Sequence, residues 1–556
     1  MISLSGPETP SSIRAIVILL VLLLAAHAPM MLNDALFMDD WLVLMPRPDY
    51  AVDIDFLLNG AGHPVFFSYY YLANLTGEPI LVMKVLALTG ICAGAVCLMR
   101  SATRLRLLTL SEATGFALIV WTYPGYQLWA GKANALYVFS FGLLFVGGWI
   151  LMLAFAASGA RHVLLRIAAL MLFLLSFALN STMVLYAFMM AGVFIATWRS
   201  NTGHRPIPRA LRSVWQYGAK YPDLIVLPLV YWGALNIWFP RVGVYTGHYN
   251  AHLPALAELM DGWRSFFLAG YRDVLTSAAR AAAANTLALA VAAVLITVGF
   301  FLIGPIRRQT SRPAKSAALP LLLCVGVFLA LSLPYLVAGL QASNHFYESR
   351  HLLMFGVPSA LSLLWLKRQA QMWVDEHAAF AVVFGLASIL SMATLWDGYV
   401  FLQARALKQE AFTRGLAAMA KPAATVFSVN DGFVSFPSRH ATFGIPEVSG
   451  MLRLAWGNRA YLGFSQQAER PSILQEMKGA QTADGSAFRH IDPTGPQATI
   501  LFQPGPAAAS NLSLVRRYYG CRLLARCDVS AFLGQLALLT VEEGPIAGIT
   551  QLDRAK

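Results

Sequence analysis

Apolar residues recur along the first 400 positions in long blocks separated by short polar connections. A helix that crosses the hydrocarbon core of a bilayer needs about 20 such residues. The blocks predict helices at 13–32, 79–99, 111–130, 135–157, 163–179, 182–198, 222–239, 280–303, 317–339, 351–366 and 378–400. The first block lacks a small-residue cleavage site and runs into Pro29 and an acidic loop, so it reads as a retained helix rather than a secretory leader. Past residue 400 the pattern changes: apolar runs shorten, charge returns, and Pro and Gly become frequent. "ATVFSVNDGFVSF" and "QATILFQPG" predict short buried strands ending in turns, and 447–456 and 529–540 predict helices. The expected fold is mainly α: a polytopic transmembrane bundle over 1–400, with outward loops at 33–78 and 240–279, followed by a soluble mixed α/β domain over 401–556.

Composition agrees. Hydrophobic residues make up 57% of the 556 positions and charged residues 12%, about half the charged share of a soluble domain. The net charge of +13 is concentrated in particular connections, so it does not argue for nucleic acid. Arg100, Arg104 and Arg106, Arg161 and Arg166, the group from Arg199 to Lys220, Arg307 to Lys315, and Lys367 with Arg368 mark the cytoplasmic side. The stretch from Asp34 to Glu78 is acidic and faces outward. With the N-terminus inside and about eleven crossings, the C-terminal domain is expected outside, in the periplasm or its equivalent. Two of the five cysteines, Cys521 and Cys527, fall there in "CRLLARC"; an outward location permits a disulfide between them, and two separate thiols fit the spacing equally well.

Straight after the first helix comes "APMMLNDALFMDDWLVL", with adjacent carboxylates Asp39 and Asp40 beside Trp41. An acidic pair in a loop is often only a solvated surface. Here the loop continues through "NGAGHPVFFSYYYLANLTGEPILVMKVLAL", a Gly-His-Pro turn before a Tyr-rich helix and the second span. That order is more specific than any of its parts.

On these segments the chain resembles the GT-C superfamily of membrane glycosyltransferases, which use polyprenyl-phosphate sugars and carry an Asp-rich motif in the first extracytoplasmic loop. "MDDW" at 38–41 matches the motif, and "GHPVFFSYYYLANLTGEP" resembles the stretch that follows it in many bacterial members. "WTYPGYQLWAGKANALYVFSF" at 121–141 resembles the second outward loop, and "NHFYESRHLLMFGVP" at 344–358 a late outward segment entering a span. The likeness is strongest over 1–160, and the C-terminal domain shows none. It implies a bacterial inner-membrane enzyme that transfers sugar to a glycan, lipid or protein acceptor of the cell envelope. Many members bind a divalent metal, Mg or Mn, with an acidic residue of the second loop. This chain has Lys132 and Asn134 there, so no metal ligand is assigned.

A lipid-phosphate sugar has a leaving group that departs as a stable anion, so one carboxylate that deprotonates the acceptor hydroxyl suffices for an inverting displacement. Asp40 or Asp39 is the expected base, with the resemblance favouring Asp40. Positive charge must meet the phosphate. Arg350 is the first candidate, since a guanidinium grips phosphate in bidentate fashion; a snorkelling interfacial Arg is the plain alternative. Lys132, Arg272, Arg264 and Arg241 follow it. His63, Tyr70, Tyr245, His248, His345 and Glu348 are candidate substrate contacts. His248 and His252 stand four residues apart, but Gly247 and Pro254 argue against the regular helix that would make them a zinc pair. Walker A, dinucleotide, HExxH and GxSxG motifs are missing from the sequence. The alternative function is a transporter or flippase of lipid-linked saccharides, against which stands the lack of an internal repeat.

Overall fold

The computed structural model describes residues 10–44, 62, 64–179, 182–200, 206–241, 254–303, 318–343, 346–432, 442–457, 461–467, 474 and 494–546. Among them run the helices α1 (Pro10–Leu32), α2 (Asp40–Val43), α3 (Pro64–Leu75), α4 (Pro79–Arg104), α5 (Leu110–Trp121), α6 (Ala135–Ala156), α7 (Gly159–Leu179), α8 (Met183–Ser200), α9 (Pro206–Lys220) and α10 (Pro222–Trp238). There follow α11 (Leu256–Phe267), which passes through a π turn (Leu268–Arg272) into α12 (Asp273–Ala284), then α13 (Thr286–Ile303), α14 (Ala318–Val337), α15 (Gly356–Ala370), α16 (Glu376–Phe380) and α17 (Leu386–Ala417). The C-terminal part holds β1 (Val426–Asp431), α18 (Ile445–Trp456), β2 (Leu462–Ser465), β3 (Gln497–Pro504), α19 (Asn511–Leu524), α20 (Val529–Gly534) and β4 (Ala537–Glu543).

Seven helices among the described residues are long and apolar enough to cross a membrane: Ser11–Leu32, Pro79–Arg104, Ala135–Ala156, Gly159–Leu179, Thr286–Ile303, Ala318–Val337 and Glu376–Ala417. Their outer faces expose large apolar side chains such as Val21, Leu164, Leu322 and Phe301, a surface suited to lipid. Four spans expected from the sequence correspond to shorter helices, α5, α8, α10 and α15. The difference is plainest at 111–130. The helix stops at Trp121, ahead of Tyr123-Pro124-Gly125, and residues 122–134 continue as a loop that is almost wholly buried. Pro124 cannot continue the hydrogen-bond ladder, and it disfavours helical backbone at Tyr123. Buried irregular backbone is sustained where its polar groups find partners in the surrounding protein.

Close packing centres on α4 and α6. The GxxxG spacing of Gly90 and Gly94 lets the two backbones meet, and a Cβ at Gly90 would lie 2.7 Å from Phe139 Cα. Expected span 280–303 is divided at Asn285, which caps α13 by accepting the Ala288 N–H at 3.1 Å. At one end of the bundle, Arg100 and Arg104 lie over the Trp149 ring, Arg166 pairs with Asp223, and Lys367 Nζ donates to Glu112 (2.8 Å) and Glu376 (3.0 Å). At the other end, the 33–44 loop bonds the 122–134 loop and meets the C-terminal domain.

That domain is built on the last long helix, which does not stop near residue 400 but continues to Ala417. Arg405 and Lys408 are buried there because each meets a partner from the domain: Arg405 with Glu447 at 2.6 Å, Lys408 with Asp431 at 2.6 Å. The sheet order is β2-β1-β3-β4, with β1 parallel to β2 and β3, and β4 antiparallel to β3. Both strands expected from the sequence are present as β1 and β3. The expected helix 529–540 is only α20, after which "ALLTVEE" forms β4, paired from Ala498↔Glu543 to Pro504↔Ala537. Alternate positions of β4 differ in burial, the strand pattern, whereas the preceding apolar run concealed it. Cys521 and Cys527 are bridged.

Candidate active site

After α1 the chain folds back on itself at Met38, whose φ of 48° lies in the left-handed region. This puts Asp39 at the start of the one-turn α2 and turns Asp40 inward. Asp40 is fully buried. Its Oδ2 accepts the N–H groups of Phe37 (2.9 Å) and Lys132 (3.1 Å), and its Oδ1 that of Ala133 (2.5 Å). One carboxylate thus joins the first loop to the second across a separation of more than ninety residues. Burial pushes its pKa up to about 6, against the pull of Lys132 and the three N–H donors.

Lys132 is buried as well, not a surface residue. Its ammonium donates to the Ala35 carbonyl at 2.5 Å and Asn33 Oδ1 at 3.4 Å and stands over the Phe37 ring. Burial pushes it down to about 7. With those bonds it holds the loop carrying the aspartates. Asp40 is a fully enclosed carboxylate with three donors, a clasp between the loops, and the half-buried Asp39 is the member of the pair that stands nearer to solvent.

The remaining segments converge on this clasp. Tyr70 is buried on α3, and its hydroxyl donates to the Ala133 carbonyl at 2.8 Å, so the Tyr-rich helix docks against the second loop through it. Phe66 packs on Tyr137. Ser349, in a 3-10 turn (Phe346–Phe355), accepts the Gln127 N–H at 3.0 Å. The neighbouring Arg350 donates from Nε to His351 Nε2 at 3.2 Å, and His351 Nδ1 bonds the Gln341 carbonyl. Tyr126 is buried in the 122–134 loop, edge to face with Trp129 at 4.9 Å, and Tyr335 packs on His351 at 4.8 Å.

Arg264 and Arg272 do not join it. Both are exposed, and Arg272 pairs with the adjacent Asp273 at 2.8 Å. Arg241 is exposed too. Glu348 lies in the 3-10 turn; His63, Tyr245, His248 and His345 lie outside the described residues. Among the described residues no group of three His, Cys, Asp or Glu side chains is placed to hold a metal.

Sequence reasoning missed three contributors. Lys84, inside the second span, donates to Asp34 at 2.5 Å and to the Met31 carbonyl at 3.0 Å, and a lone Lys in "ILVMKVLAL" was the available signal. His27 bridges Tyr399 (2.8 Å) and the Trp121 carbonyl (2.8 Å). Gln409, from α17, donates to the Leu36 carbonyl at 2.8 Å, which also accepts Trp41 Nε1 at 2.8 Å. Gln409 and the packing of Trp41 against Gly450 clamp the acidic loop between the bundle and the C-terminal sheet region.

No family model, curated protein or solved structure matches this chain.

Proposed function

We propose that this chain is an integral-membrane glycosyltransferase that moves a sugar from a polyprenyl-phosphate donor to a cell-envelope acceptor on the outer face of a bacterial inner membrane, with about eleven crossings. The observation that carries the reading is the Asp40 clasp. The four segments that carry the resemblance to membrane glycosyltransferases, the Asp-Asp-Trp loop, the Tyr-rich helix, the 122–134 loop and the Arg350 turn, gather at one end of the bundle. The orientation is supported by Arg100, Arg104 and Arg166 at the opposite end and by the disulfide in the soluble domain, which belongs to an oxidising compartment.

In this reading Asp39 is the base. Its carboxylate takes the proton of the acceptor hydroxyl while that oxygen bonds the anomeric carbon; the bond from that carbon to the phosphate oxygen breaks, and its electron pair leaves on the polyprenyl phosphate. Asp40 holds the loop in place, and Arg350 meets the departing phosphate. The test is purified protein in nanodiscs, supplied with labelled polyprenyl-phosphate sugars and an envelope acceptor fraction. Label moving from lipid to acceptor is the expected result. Movement of intact lipid-linked sugar across proteoliposomes, with no new bond, would replace this reading with a flippase.

A further inference from the structure

Helix α9 stands between two apolar helices, α8 and α10, but is itself amphipathic and too polar to cross a bilayer. One face holds it to the bundle. Ser213 is fully buried there, and on the next turn the Tyr217 hydroxyl donates to the Met190 carbonyl of α8 at 3.2 Å while its ring meets Phe194 edge to face at 5.5 Å. At about 100° per residue, Arg212 and Val214 lie on opposite flanks of that docked face and Trp215 lies behind it. Arg212 and Lys220 are exposed, and so are Val214 (58%) and Trp215 (77%). The corner into α10 is fixed: Tyr221 leaves the helical conformation, Pro222 opens α10, and Arg166 of α7 donates to the Lys220 carbonyl at 3.0 Å and pairs with Asp223. Because α10 turns Val226, Leu229, Val230 and Trp232 outward, α9 is pinned at the foot of a helix whose exposed surface suits lipid. Charge adds a second condition. No Asp or Glu occurs between Glu112 and Asp223, whereas Arg199, Arg205, Arg209, Arg212 and Lys220 cluster within 199–220.

Whatever covers α9 must accept an exposed indole and a valine and also bring negative charge to Arg212 and Lys220, since the segment supplies no carboxylate of its own. A zwitterionic bilayer meets only the first requirement, and free phosphate only the second. An anionic phospholipid meets both within one molecule, its phosphate standing directly above its acyl chains. We propose that α9 lies in the bilayer surface and gathers anionic phospholipid, with Val214 and Trp215 among the upper acyl carbons and Arg212 and Lys220 at the headgroup phosphates.

The test uses the full chain in phosphatidylcholine nanodiscs in which a minor share of the lipid is brominated near the headgroup end of its acyl chains, either phosphatidylglycerol or phosphatidylcholine. Emission of the wild type minus that of Trp215→Phe isolates Trp215. Brominated phosphatidylglycerol should quench this difference emission as though enriched about fivefold over brominated phosphatidylcholine for each basic residue engaged, and the preference should shrink at high salt. Arg212→Gln combined with Lys220→Gln should keep the quenching by brominated phosphatidylcholine and lose the preference for phosphatidylglycerol. Each substitution alone should lose about fivefold of it, which keeps the test open should the double variant fail to fold. A difference emission that neither lipid quenches would place Trp215 in water or under a protein partner and overturn the proposal. Equal quenching by both lipids in the wild type, or a preference unchanged by the substitutions, would overturn it as well.

Discussion

Gly450 lies on α18 beside the C-terminal sheet, yet it is a determinant of the acidic loop more than 400 positions earlier. A Cβ at this position would overlap the Trp41 indole, colliding with Cε3 and lying 2.9 Å from Cδ2. Overpacking of this kind costs about 1–3 kcal/mol. Replacing a helical glycine by alanine returns about 1 kcal/mol. Gly450→Ala should therefore lower stability by about 0–2 kcal/mol, a modest shift in Tm. Its effect on the loop is larger. Trp41 must move, its 2.8 Å bond to the Leu36 carbonyl is disturbed, and Asp39 and Asp40 follow. A displacement of about 1 Å at a reacting group can cost about a hundredfold in rate. The assay pairs sugar transfer with hydrogen exchange of the 33–44 amides: exchange should quicken and transfer fall at least tenfold, while Gly534→Ala, whose added methyl meets nothing within 4 Å, changes neither. Wild-type exchange and wild-type transfer in Gly450→Ala would refute the idea that α18 sets the loop.

Other outcomes follow from the buried charges. Asp40→Ala leaves three buried N–H groups without their acceptor and should cost about 3–5 kcal/mol, read as a fall in Tm; a shift of under 1 °C would contradict the clasp. Asp40 has a raised pKa, so the native state holds its proton longer than the unfolded one and stability falls as pH rises from about 4 to 6. Lys132 has a lowered pKa, so the native state releases its proton first and stability rises above about pH 7. A Tm profile measured against pH should show that rise, and Lys132→Met should abolish it. Lys408→Met removes the buried ammonium that Asp431 meets at 2.6 Å and should cost about 3–5 kcal/mol, while the double change Lys408→Met with Asp431→Leu should recover most of it; a double variant no better than the single would argue against the pairing.

Much of this was legible in the sequence because spans announce themselves by length. The order of loops, the acidic pair and the change to short strands after the last span could all be read from apolar blocks and charge. The difference between Asp39 and Asp40 could not, since it is made by N–H groups of Lys132 and Ala133 that arrive with the second loop. Residues 122–134 looked like the end of a span because buried loop and buried helix share an apolar composition. Only Pro124 marked the change. The last expected span ends at 400, but Arg405, Lys408 and Gln409 continue the same helix, buried against Glu447 and Asp431, which come later in sequence. Strand β2, four residues of "LGFS", is too short for any periodicity to show.

The central claim is that Asp39 acts on the substrate and Asp40 acts on the fold. Single-turnover sugar transfer by Asp39→Asn, measured beside its Tm and donor affinity, tests it most directly. The account predicts unchanged Tm and donor binding with transfer reduced at least a hundredfold, the scale of a lost general base. Full transfer by a folded Asp39→Asn protein would contradict it.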